Sequence, residues 1–147
     1  MPADRNAALV HRYFEECVSG ASGSDHARAV AMVDELMTDD FVMFFNSDTD
    51  AEGRRGRQRH KEFLVGHAAR FPDDDWKVDM LISNGSAAAC QWLFRGRDAP
   101  TGNRVEIRAA DFYTIRDGQL AELRRFLDFR ELDRQTRPSR HRARSKP

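Results

Sequence analysis

The stretch "RVEIRAADFYTIRDGQLAELRRFLD", residues 104–128, decides the fold. It holds two runs of alternating character joined by Arg116-Asp117-Gly118, the punctuation of a β-hairpin. Successive strand residues face opposite sides of a sheet. Val105, Ile107, Ala109, Asp111, Tyr113 and Ile115 therefore share one face, and Glu106, Arg108 and Ala110 the other. The apolar set belongs inside, and it carries Asp111 in with it. In the second run Leu123, Arg125 and Leu127 share a face, against Glu122, Arg124, Phe126 and Asp128. Asp111 and Arg125 then face one cavity from neighbouring strands, unless a bulge flips the assignment. A carboxylate taken out of water needs a counter-charge or a proton, and Arg125 offers the first.

The pattern extends upstream. "WKVDMLIS" (76–83) alternates as a strand, "NGS" is a turn, and "AAACQWLFRGR" (87–97) is a longer strand with Ala88, Cys90, Trp92 and Phe94 inward. "DAPTGN" leads into the hairpin, whose last strand reads as "QLAELRRFLDF". The first half is mostly helical. Over residues 3–19, Leu9, Tyr13 and Cys17 recur at helical spacing with Val10 and Phe14 beside them. After "SGASGSD", Ser24 or Asp25 caps a second helix with Val30, Val33 and Met37 on its inner face. "DDFVMFF" (39–45) is a short strand and "NSDTDAEGRRG" a polar loop. Residues 57–70 form a third helix with Phe63, Leu64 and His67 on one side, broken by Pro72. Helices and strands are segregated along the chain, which means α+β. The expected architecture is a cone-shaped, curved antiparallel sheet with about three N-terminal helices enclosing a pocket.

A chain of 147 residues fits one domain, expected over 1–135. Residues 136–147 are rich in Arg and have no apolar anchor, so they read as a disordered tail. Lys plus Arg and Asp plus Glu number 24 each, so no overall field favours nucleic acid, and the tail has no aromatic residue to stack on bases. No apolar run approaches membrane-spanning length, and the N-terminus lacks the pattern of a secretory signal; the expected location is cytoplasmic. Cys17 and Cys90 form no disulfide framework or metal spacing and read as reduced, buried thiols. His60 and His67 lie seven apart on one helix with no acid to complete a metal set, so no metal is expected.

Several short motifs carry a family likeness. FPD (71–73) precedes a strand, Trp92 sits in the long strand, and PTG (100–102) precedes the next. Asp111-Phe112-Tyr113, DGQLAE (117–122) and a closing D-x-x-x-L-x-x-Q (128–135) follow. Together they resemble the SnoaL-like polyketide cyclases, within the nuclear-transport-factor-2-like and ketosteroid-isomerase-like fold. The resemblance implies that Tyr13 sits where the isomerases place an oxyanion-hole tyrosine. It implies that Asp111 sits where they place the neutral acid completing the hole, a slot that holds histidine in aromatic polyketide cyclases. Phe45-Asn46 occupies the region of the isomerases' aspartate base. The cyclases' acid on the last strand falls at Arg125, and the epoxide hydrolases' Arg-x-Asp falls at Trp92-Leu93-Phe94.

The candidate catalytic residues are thus Asp111, Arg125 and Tyr13. Three roles stay open for the pair: a protonated Asp111 donating to an oxyanion, an ionised Asp111 held by Arg125 as general base, or Arg125 as a forked donor to the substrate. The expected substrate contacts are Trp92, Asn46, Phe45, His67, Phe63, Tyr113, Leu123 and Leu127. The resemblance implies a cofactor-independent cyclase, isomerase or lyase-like enzyme acting on a polyketide- or terpenoid-like molecule, and the apolar lining agrees with a hydrophobic ligand. The alternative is a non-catalytic ligand-binding or assembly module of the same fold. A homodimer is expected through the outer sheet face, with Trp76, Leu93 and Phe112 supplying apolar area.

Overall fold

A computed structural model describes residues 2–21, 23, 25–50 and 54–138. The expected tail therefore lies mostly outside the described residues, as do Ser24 and Gly53.

The N-terminal helix starts as α1 (Pro2–Arg12) and passes through a π-helical turn over Tyr13–Val18 into α2 (Ser19–Ala21). The wider turn, closed by the Ser19 N–H donating to the Phe14 carbonyl, buries Tyr13, Phe14, Cys17 and Val18 together. Asp25 caps α3 (His26–Ala31), its carboxylate accepting from the Arg28 N–H. The expected second helix is broken at Met32 and resumes as α4 (Val33–Leu36). Its buried residues are Ala29, Val33 and Leu36, while Met37 already belongs to β1 (Met37–Phe45). The third expected helix, α5 (Arg57–Arg70), has the predicted bounds.

β2 (Asp75–Ser83), β3 (Ala87–Arg97), β4 (Arg104–Arg116) and β5 (Gln119–Phe126) form an antiparallel meander in chain order. β1 joins its far edge beside β5 and runs parallel to it, giving the order β1-β5-β4-β3-β2. The result is the expected α+β cone: a curved, unclosed sheet with helices over its inner face. β4 pairs with β3 without interruption from Arg104 to Thr114, so the alternation over 105–113 holds. Bulges fall elsewhere, at Ala121 in β5 and at Asp79 in β2. The second matters for the surface. Trp76 and Val78 face inward, but Met80 and Ile82 are turned out to 60% and 66% exposure. Trp76 is therefore an inner residue and not part of an outer face. That face instead shows Met80, Ile82, Phe112 and Phe126.

The last strand is shorter than expected. It ends at Phe126, and Asp128 caps α6 (Phe129–Gln135) by accepting from the Glu131 N–H. Asp128-x-x-Glu131 is the spacing of a capping box, a start signal for this helix within the sequence. α6 places Phe129 and Leu132 across the mouth of the cone.

Candidate active site

Asp111 and Arg125 are direct cross-strand neighbours on β4 and β5. Arg125 Nε donates to Asp111 Oδ1 and Nη2 to Oδ2, both at 2.9 Å, a forked pair. Tyr113 adds its hydroxyl to Oδ2 at 2.6 Å. Asp111 is 0% and Arg125 3% exposed. Burial alone would push the guanidinium pKa down; the Asp111 charge and hydrogen bonds outweigh it and hold it above the usual arginine range. The guanidinium also lies 4.9 Å from the Trp92 ring centre and 5.9 Å from that of Trp76, so two ring faces share in stabilising the cation.

Tyr13 lies behind this pair. Its hydroxyl shares a hydrogen bond of 2.9 Å with His60 Nε2, and both residues are buried. Burial raises the Tyr13 phenol, against the lowering influence of Arg125. Burial, then Arg125, lowers His60 to about 3, which keeps its imidazole neutral. His60 is thus a core partner of Tyr13. Cys17 and Cys90 are free, buried thiols pushed up to about 12, chiefly by burial.

In front of the pair is a cavity of about 350 Å³. Phe45, Phe63, His67, Trp76, Trp92, Phe94, Leu127 and Arg125 are among its walls, and Arg70 and Glu62 stand at its side. Of the residues expected at the site, Arg125, Trp92, Phe45, Phe63, His67 and Leu127 meet there. Asp111, Tyr13, Tyr113, Leu123 and Asn46 do not line it. Leu123 is fully enclosed in the core. Asn46 is a turn residue with φ of 54°, whose Oδ1 accepts from the Leu127 N–H and whose N–H donates to the Arg125 carbonyl. It fastens the end of β1 to β5.

Besides Trp76, two contributors were not apparent from the sequence. Asp74 belongs to a run of three aspartates that reads as a solvated loop, yet its side chain is only 2% exposed. It accepts from Trp76 Nε1 at 2.8 Å and lies 3.8 Å from His67 Nδ1. The other is α6, whose Phe129 packs on Phe45 with ring centres 5.3 Å apart. Arg54, in the loop after β1, and Arg57, at the start of α5, are structural: Arg54 reaches the Met43 carbonyl and Asp48, and Arg57 the Met37 carbonyl.

Comparison with known proteins agrees with this fold. Among solved structures, a protein assigned to the SnoaL-like polyketide cyclases from Jannaschia sp. CCS1 superposes with a TM-score of 0.79 at 21% identity, covering 93% of this chain and 95% of that one. An LEH-like epoxide hydrolase from M. tuberculosis gives 0.69 at 17% identity, covering 92% and 94%. An NTF2-like protein from Anabaena variabilis gives 0.66 at 20% identity, covering 85% and 90%. At such identities these likenesses show the fold. No curated protein matches the chain in sequence. The sequence profile of the SnoaL-like domain, however, matches residues 10–123, which run from the end of α1 into β5, and the chain therefore belongs to the SnoaL-like domain family.

Proposed function

We propose that this protein is a cofactor-independent small-molecule enzyme performing a cyclase, isomerase or lyase-like step on a hydrophobic, polyketide- or terpenoid-like substrate. The observation that carries this is a closed-backed apolar cavity with one buried, fully oriented arginine in its wall. A guanidinium held in place by Asp111 and Tyr113 needs little reorganisation when negative charge develops on a substrate oxygen. Arg125 is the catalytic residue in this reading. Asp111 is a positioning residue, with both oxygens occupied and no place on the wall. Tyr13 supports the pair from the core.

That same occupancy of Asp111 favours a second reading, a ligand-binding module without turnover. Exchange of the α-protons of 2-tetralone in deuterated water separates the two. The enzyme reading expects exchange faster than in buffer and lost in Arg125→Met. Binding without any acceleration supports the module instead. We further propose a cytoplasmic homodimer joined through Phe112 and its exposed neighbours. A solution mass near the 16.9 kDa of one chain would overturn the dimer. Among the described residues no helix is long and apolar enough to cross a membrane.

A further inference from the structure

The cavity has a second polar wall that the Asp111–Arg125 pair does not use. His67, on the last turns of α5, presents its ring to the cavity between Phe63, Phe71, Trp76 and Phe94. Behind it, Pro72 ends the helical path and Asp74 folds back under the helix end. The Asp74 carboxylate is anchored by Trp76 Nε1 and faces His67 Nδ1 at 3.8 Å. At 3.8 Å the contact is electrostatic and not a hydrogen bond, and a negative charge on the Nδ1 side favours a proton there, which leaves Nε2 as the basic nitrogen. The carboxylate also stands ready to stabilise an imidazolium when one forms. The other charged groups around the cavity are Arg125, Arg70 and Glu62.

We propose that His67, oriented by Asp74, is the proton-transfer group of this cavity. Nε2 takes a proton from a carbon beside a carbonyl of the bound substrate. The C–H bond breaks, its electron pair forms the enolate, and the oxygen charge develops toward Arg125. The same proton returns to the carbon skeleton, the carbonyl or its conjugated equivalent re-forms, and His67 is neutral again. No oxidant, metal or co-substrate enters the balance. This rests on the small-molecule reading above and adds its proton-transfer group. Burial, with Arg125 and then Arg70, lowers His67 to about 4, and the nearby Asp74 does not offset them. Such a base is present in its active form at neutral pH, but it is weak and suits acidic C–H bonds. A probe substrate for it therefore needs an acidified C–H bond.

The test uses 5-nitrobenzisoxazole, whose acidified C–H needs only a weak base. Proton loss breaks its N–O bond and releases a coloured phenolate. Binding is read separately, because both tryptophans of the chain, Trp76 and Trp92, line the cavity and report on it by fluorescence quenching. The expected result is an accelerated elimination whose rate rises through about pH 4 and is level above it. His67→Gln should lower it by roughly a hundredfold while quenching persists. Asp74→Asn should move the inflection to lower pH. An NMR titration of His67 in the unaltered protein gives the same inflection without relying on a variant that folds. A rate retained in His67→Gln, or lost instead in Glu62→Gln, would overturn the assignment. Quenching without acceleration would also overturn it while leaving the small-molecule reading intact. Neither quenching nor acceleration would overturn both.

Discussion

Two of the buried carboxylates among the described residues are each paired with one arginine. Asp98 sits in the β3–β4 turn at 1% exposure, and Asp111 sits behind the cavity at 0%. Asp98 accepts from Arg70 Nε at 2.9 Å and from the Thr101 hydroxyl at 2.6 Å. Asp111 has the forked Arg125 pair and the Tyr113 hydroxyl. The acids are alike, but the arginines are not. The Arg70 side chain is 43% exposed and keeps much of its hydration, whereas that of Arg125 is 3% exposed. A wet partner that is lost is replaced by solvent. A dry partner that is lost leaves a charge with nothing to replace it. Burial of the acid alone therefore does not separate a turn fastener from a cavity device; burial of both partners does.

The largest expected effect is at the dry pair. Asp111→Asn or Arg125→Met alone should cost about 3–5 kcal/mol of stability, because each strands a buried group. The double variant should recover part of that loss, read as non-additivity in denaturant unfolding. Small, additive effects would place the two regions on the same footing.

Acid should separate the regions next. His60, at about 3, lies below its ordinary value of roughly 6.5, so the unfolded chain takes up the proton first. Its contribution is complete above about pH 6.5 and falls by about 1.4 kcal/mol per pH unit as the pH drops toward 3. Burial pushes Asp98 up, but the Thr101 and Arg70 bonds outweigh it and leave it below its usual range. Its stabilisation is therefore lost only below about pH 4. A melting temperature that declines from pH 6.5 downward, with a shallower slope in His60→Gln, is the expected record. A flat profile from pH 7 to 4 would show that protonating the core histidine is without cost.

Asp98→Asn should cost only about 1 kcal/mol, since Thr101 still has an acceptor and Arg70 turns to water. A loss as large as at Asp111 would refute the contrast drawn here. The smallest effect is expected at the C-terminus. The turn side of the molecule holds the chain there, with Asn103 Nδ2 donating to the carbonyls of Gln135 and Arg137. Removing residues 139–147 spares both bonds and should leave the melting temperature unchanged by calorimetry.

What the sequence made legible follows from period. In β3 and β4 an unbroken two-residue alternation placed Trp92, Phe94, Asp111 and Tyr113 correctly, because no bulge interrupts their pairing. In β2 the same reasoning misses that Asp79 is an extra residue, which sends Met80 and Ile82 to the other face. The cavity was legible where apolar period marked a wall, as at Phe63 and His67. It was not where chain path does the placing. Asp74 is indistinguishable from its neighbours Asp73 and Asp75 until the break at Pro72 tucks it beneath α5. Asp111 was read as a group facing the ligand, and alternation does put it inward. Alternation cannot show that the longer Arg125 side chain stands between it and the cavity.

The parallel seating of β1 on β5 bears on the order in which the molecule assembles. Asp111 and Arg125 are 14 positions apart, within one hairpin, so their loop closes with little entropy lost. The link from Arg124 to the Asn46 carbonyl, at the end of β1, spans 78 positions. Contacts of short span form at lower entropic cost, so the ion pair should meet while still hydrated and lose its water only when β1 and the helices close over it. The desolvation cost then falls late on the folding path, after the hairpin rather than during it. Folding-rate analysis would register this as high φ-values at Leu123 and low ones at Met43, and the reverse order would show that β1 docks first.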